Sequence, residues 1–119
     1  MQKRDIEERT FRFGVEIAKF VGDLPKTPAG FGVGRQVVRS GTSVGANIQE
    51  AQSAVSRLDF INKFGIALKE ARETKYWLRI AEEAHLAKDS RVKVLLGENE
   101  EIIKILVTII KNAKQKNNS

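Results

Sequence analysis

Residues that can move a proton or hold a metal are sparse in this chain. His85 is the only histidine, and there is no cysteine. Zinc and related metals are held by clusters of those two residue types, so no metal centre is expected. Glu82 precedes His85 by three residues, the spacing of a di-iron bundle motif, but such a centre needs the motif twice and a second copy does not occur. His85 falls at the expected end of a helix, where an imidazole can meet free carbonyls, and that structural role is preferred over a catalytic one. The hydroxyls Ser40, Thr42 and Ser43 have no base beside them in sequence. Hydroxyls on a helix more often bond back to its carbonyls. The glycines of SGTSVGAN do not make a phosphate loop, because no lysine stands at the required place and no strand precedes them. The chain is therefore read as a non-enzyme, with no catalytic residue and no cofactor.

The basic residues carry more information. Lys and Arg number 21 against 15 Asp and Glu, a net charge of +6. Such an excess favours anionic partners. Between Lys26 and Arg57 the bases Arg35 and Arg39 also occur, against Glu50 alone. Further on, Lys69, Arg72, Lys75 and Arg79 line one side of an expected helix, with Tyr76 at its edge. From Ile102 onward Lys104, Lys111, Lys114 and Lys116 occur without an acid. A basic helical stripe with an aromatic at its edge can grip phosphates and stack a base. The candidate RNA or DNA contacts are Arg35, Arg39, Lys69, Arg72, Lys75, Tyr76 and Arg79. The competing reading is a solvated face laced by pairs one turn apart.

These residues need helices to place them. The chain of 119 residues suits one domain, 5–114, followed by a polar tail, 115–119. Pro25 and Pro28 are the only prolines and mark one long linker, DLPKTPAGFG. A first helix is expected over Ile6 to Asp23, with Asp5 as N-cap and Glu8 as capping-box partner. Phe13, Ile17, Phe20, Val21 and Leu24 share one side of it, while Phe11, Val15 and Ala18 lie nearly opposite. A second helix starts at Thr27 and Pro28, a cap and N1 pair, with Gly30, Phe31 and Gly32 delaying its regular part. Val33, Val37, Ser40, Val44, Ile48, Ala51 and Val55 form its core stripe. Gly34, Gly41 and Gly45 make a row beside that stripe. The row implies close backbone approach, within the bundle in preference to a ligand cleft.

Ser56 and Asp59 cap a third helix, whose core stripe is Phe60, Phe64, Ala67, Ala71, Thr74, Leu78 and Ala81. A fourth starts near Asp89 or Ser90, and Val92, Leu95, Leu96, Asn99, Ile102, Ile103, Leu106, Ile109, Ile110 and Ala113 keep a seam-like spacing. The expected fold is all-α, an antiparallel up-and-down four-helix bundle. Phe11, Val15 and Ala18, with Ile66, Trp77 and Ile80 on the third helix, exceed what one seam needs and point to a homo-oligomer interface. Burial of a wide face within one subunit is the alternative. No segment is apolar enough to span a membrane and no signal peptide is evident, so a cytoplasmic protein is expected.

Three segments carry a resemblance. RTFRFGVEIAKFVGDLPK (Arg9 to Lys26), RSGTSVGANIQEA (Arg39 to Ala51) and DFINKFGIALKEARETKYWL (Asp59 to Leu78) resemble signature stretches of the bacterial 23S ribosomal RNA intervening-sequence proteins. The resemblance implies a four-helix bundle that assembles as a ring, commonly a homopentamer. It also implies a relation to the accessory subunit of diversity-generating retroelements, a basic pentamer that binds nucleic acid and a reverse transcriptase. The partners to expect are further copies of the chain, RNA or DNA, and a protein partner for which the bundle is a scaffold. Within the signature segments, Arg39, Ser43, Asn47 and Glu50 should pair with Lys69, Glu70, Glu73, Tyr76 and Trp77, between helices or between subunits.

Overall fold

A computed structural model describes residues 3–117, with side chains from Asp5 to Lys116. All of its regular structure is helical: α1 (Lys3–Gly22), α2 (Pro28–Ala51), α3 (Arg57–Glu83) and α4 (Asp89–Asn117). Each helix packs on the next and α4 returns to α1, while the backbones of the diagonal pairs stay more than 8 Å apart, Cα to Cα. The assembly is an elongated rod of 51 × 22 × 19 Å.

Local chemistry sets the boundaries. Thr27 is extended, and its hydroxyl accepts the Gly30 N–H at 3.1 Å. Pro28 follows at the start of α2, where its missing N–H leaves no bond unmade. The helix is regular from Pro28 onward and is not delayed by Gly30, Phe31 and Gly32, because the Phe31 N–H already reaches the Thr27 carbonyl at 2.9 Å. Gly30 is needed there: a Cβ would lie 1.8 Å from the Pro25 carbonyl oxygen. Ser56 caps α3 by accepting the Asp59 N–H at 3.0 Å. The Asp59 carboxylate in turn accepts the Val55 N–H at 3.2 Å.

That exchange draws Val55 out of α2. Its expected place in the core stripe is wrong: the side chain is 92% exposed and the stripe stops at Ala51. Asp5 is not an N-cap either, since α1 begins at Lys3 and takes Asp5 into its first turn. Glu8 binds Arg12 at 2.9 Å instead of completing a capping box. Helix α4 continues through Asn117, so most of the segment set aside as a tail is helical, and Asn118 and Ser119 lie outside the described residues. On α3, Phe60 is half-buried and Ile61 is buried in its stead.

The core is a continuous apolar column. Phe13, Ile17 and Phe20 from α1 meet Val37, Val44 and Ile48 from α2, Phe64 and Leu78 from α3, and Ile102 and Leu106 from α4. Burying each Ile, Leu or Phe contributes about 1.5–3 kcal/mol. The glycine row is the α1–α2 seam. A Cβ on Gly34, Gly41 or Gly45 would lie 3.2, 2.9 and 3.1 Å from Val21, Ile17 and Thr10 respectively. The row therefore serves close packing inside the bundle. Asn99 is fully buried and donates to the Ala71 carbonyl at 2.9 Å, tying α4 to α3. Arg9 grips both oxygens of Glu98 at 2.8 Å, and Arg91 reaches Asp23 at 2.8 Å, so α1 and α4 are fastened near both ends. The bond to Glu98, opposed by partial burial, raises the Arg9 pKa above its ordinary value.

Candidate nucleic-acid interface

Helix α3 divides the charged residues between two sides. Toward α2, Arg39 reaches Glu70 at 3.2 Å and also binds Glu73. Glu73 accepts the Trp77 indole N–H at 3.1 Å. Beneath them the Thr74 hydroxyl donates to Ser40 at 2.9 Å, wholly buried. Lys63 reaches Glu50 a few turns away at 3.5 Å. The expectation that Arg39 and Glu50 pair with the polar residues of α3 is met for Arg39 with Glu70 and Glu73; Glu50 pairs with Lys63 instead. Ser43 and Asn47 do not cross: Ser43 donates to the Arg39 carbonyl and Asn47 to the Ser43 carbonyl, both within α2.

Toward α4, the same helix is differently furnished. Lys69, Arg72 and Arg79 are exposed, and none forms an ion pair among the described residues. Lys75 is held by Glu100 of α4 at 2.9 Å. Tyr76 is 57% exposed and stands one turn from both Arg72 and Arg79. Alongside, Arg72, Lys111 and Lys114 rim a groove of about 390 Å³ whose floor is Leu68, Val107 and Ile110. A neighbouring groove of about 630 Å³ adds Lys69 and shares Ile110 and Lys114. Lys111 and Lys114 are likewise unpaired among the described residues.

The structure thus brings together Lys69, Arg72, Lys75, Tyr76 and Arg79 on the α3 face beside α4, and leaves two of the expected contacts elsewhere. Arg39 is committed to Glu70 and Glu73. Arg35 lies on the α1–α2 side, lining a shallow groove with Lys26, Val21 and Phe31. Lys111 and Lys114, basic residues outside the expected contact set, also line this face. Their spacing from Val107 by four and seven residues was the signal that they share its side of α4.

The residues expected to form an oligomer interface fall into two groups. Phe11 is 59% exposed, Val15 half-buried and Ala18 exposed, all on α1. Ile66 is exposed while Trp77 and Ile80 are half-buried against the core on α3. Helices α1 and α3 lie diagonally across the bundle, more than 8 Å apart Cα to Cα, so the two groups stand on non-adjacent helices of one subunit.

His85 has its own role. It sits at φ 55°, just past the α3 cap, with its N–H on Glu82 O at 3.1 Å and the Leu86 N–H on Ala81 O at 2.9 Å. That pair of bonds is a Schellman cap, so the backbone of His85 closes the helix. Among the described residues there is no group of histidine or acidic side chains that could hold a metal ion. No described helix is long and apolar enough to cross a membrane.

Fold and site together define a small four-helix protein whose distinctive feature is a basic helical face and not a cleft. The model of the 23S rRNA-intervening sequence proteins matches residues 2–108, and the chain belongs to that family. The resemblance carried by the α1, α2 and α3 segments is thereby borne out. The chain is also similar to a solved structure, a protein of unknown function from the S23 ribosomal protein family of Bacteroides thetaiotaomicron VPI-5482. The two share 40% identity over 93% of this chain and 99% of the other, with a TM-score of 0.88. No curated protein matches.

Proposed function

We propose that this protein is a non-enzymatic, cytoplasmic, antiparallel bundle that self-associates and binds RNA or DNA by its phosphate backbone through the α3–α4 face. The observation that carries this reading is the set Lys69, Arg72, Arg79, Lys111 and Lys114, cations without acidic partners among the described residues, gathered along one side of the rod. Arg9, Arg39, Lys63 and Arg91 are held by carboxylates elsewhere. Lys26, Arg35, Arg57, Lys88 and Lys93 also form no ion pair among the described residues, but none of them lines the two α3–α4 grooves. Free ammonium and guanidinium groups on a convex helical surface attract phosphates of any sequence. If each of the five meets one phosphate, the logarithm of the duplex association constant should fall with log salt at a slope of about −4.5.

The test is fluorescence anisotropy of labelled structured RNA and duplex DNA at low and near-physiological salt. Saturable, salt-weakened binding is the expected result. An absence of binding at low salt would contradict the reading and favour a scaffold for a protein partner.

Self-association has separate support. Two apolar groups on diagonally placed helices, Phe11, Val15 and Ala18 against Ile66, Trp77 and Ile80, suit a head-to-tail contact in which each subunit offers one group to the next. Such a contact closes into a ring when its rotation divides a full turn, a pentamer being the form the family resemblance implies. Light scattering on Phe11→Glu should show a smaller species than the native protein; an unchanged mass would remove α1 from the interface.

A further inference from the structure

We infer that the preferred ligand of the α3–α4 face is an unpaired strand, with its bases laid on Tyr76 and on the apolar floor of the adjoining groove. This inference rests on the nucleic-acid reading above and specifies its substrate. The face offers two surfaces that a phosphate has no use for. One is the Tyr76 ring, 57% exposed, one turn from the unpaired guanidinium groups of Arg72 and Arg79. Its edge-on contact with Trp77, at 5.1 Å between ring centres, links it to a half-buried side chain. The other is the floor of Leu68, Val107 and Ile110, rimmed by Arg72, Lys111 and Lys114. From Leu68 to Arg79 the two surfaces extend along α3 for about 16 Å.

The chemistry of this path selects among anions. A duplex shows a convex helix only its phosphates and groove edges, so the ring and the floor would stay in contact with water. An unpaired strand carries a charged backbone on one side and free π-faces on the other. Its phosphates match the cationic rim, and its bases match the ring and the floor, which is the division of labour found where single strands are bound without sequence preference. An acidic polypeptide could satisfy the cations, but it brings no flat face for Tyr76.

The experiment compares a labelled mixed-sequence single strand with the duplex formed by its complement, in both RNA and DNA, on the full-length protein and on Tyr76→Ala and Tyr76→Phe. Because Tyr76 is largely exposed, circular dichroism should show all three folded alike. The expected result is tighter binding of the single strand, a loss of roughly tenfold in Tyr76→Ala for that strand only, and near-complete retention in Tyr76→Phe. Equal affinity for both forms, with Tyr76→Ala neutral, would overturn the inference while leaving phosphate binding intact. No binding of either form at low salt would overturn the underlying reading as well. Displacement of the strand by poly-glutamate as readily as by unlabelled strand would also overturn it, and would assign the groove to an acidic polypeptide.

Discussion

The two sides of α3 use the same residue types to opposite ends. On the α2 side, Arg39 is bound by two carboxylates, one of which also holds the Trp77 indole, and a buried Thr74–Ser40 bond lies beneath. On the α4 side, Arg72 and Arg79 flank Tyr76 and have no acidic partner among the described residues. An arginine with two acids has little charge left for a ligand; an exposed arginine without one presents its full charge and five donors. The difference teaches that basic residues must be read with their neighbours across the bundle. Arg39 and Arg72 look alike in the sequence, and only the packing of α2 and α4 against α3 separates them.

That contrast can be broken in a graded way. The largest effect should come from reversing Arg72 and Arg79 to Glu together, which replaces attraction by repulsion on the open side. Nucleic-acid affinity should fall on the order of 100-fold, with helicity by circular dichroism unchanged. Next, Arg39→Ala should leave Glu70 and Glu73 without their cation and, since the pair is partly screened by solvent, lower stability by about 1 kcal/mol. Urea unfolding would measure that loss, while anisotropy should show nucleic-acid binding nearly intact.

Packing supplies a smaller test of which surfaces are closed. Gly41→Ala pushes a methyl to 2.9 Å from Ile17 in the α1–α2 seam. It should destabilise by about 1 kcal/mol after its gain in helix propensity is counted. Gly97→Ala, with nothing within 4 Å of its added methyl, should stabilise by about 0.5–1 kcal/mol. Thermal melts of the pair should therefore move in opposite directions. The smallest effect is expected from Arg35→Glu. Its site on the α1–α2 side lies away from the proposed face, so affinity should change by no more than about twofold through the general field.

Much of the fold was legible because helical periodicity is a direct imprint of burial. The Val33, Val37, Ser40, Val44, Ile48 stripe and the Phe64, Ala67, Ala71, Thr74, Leu78 stripe are buried as their spacing predicts. Thr27–Pro28 and Ser56–Asp59 cap as their types predict. What failed did so where two local rules competed. Val55 fits the α2 spacing, but the Ser56–Asp59 cap captures its N–H and ends the stripe early. Asp5 has the chemistry of a cap, yet the helix starts before it.

The candidate site was legible in part. Spacing along α3 placed Lys69, Arg72, Tyr76 and Arg79 together, since residues three and four apart share a face. It could not show that Lys75 would be held by Glu100, nor that Lys111 and Lys114 of α4 would complete the rim of a groove. Those facts depend on the register between helices, which the pattern of either helix alone does not contain.

The most direct test of the central claim is the salt dependence of binding, measured by anisotropy on duplex DNA for the native protein and for Arg72→Glu with Arg79→Glu. The account predicts a slope of log affinity against log salt of about −4.5 for the native chain, shallower by about two in the variant. A native slope near zero, or one that the double reversal leaves unchanged, would contradict it.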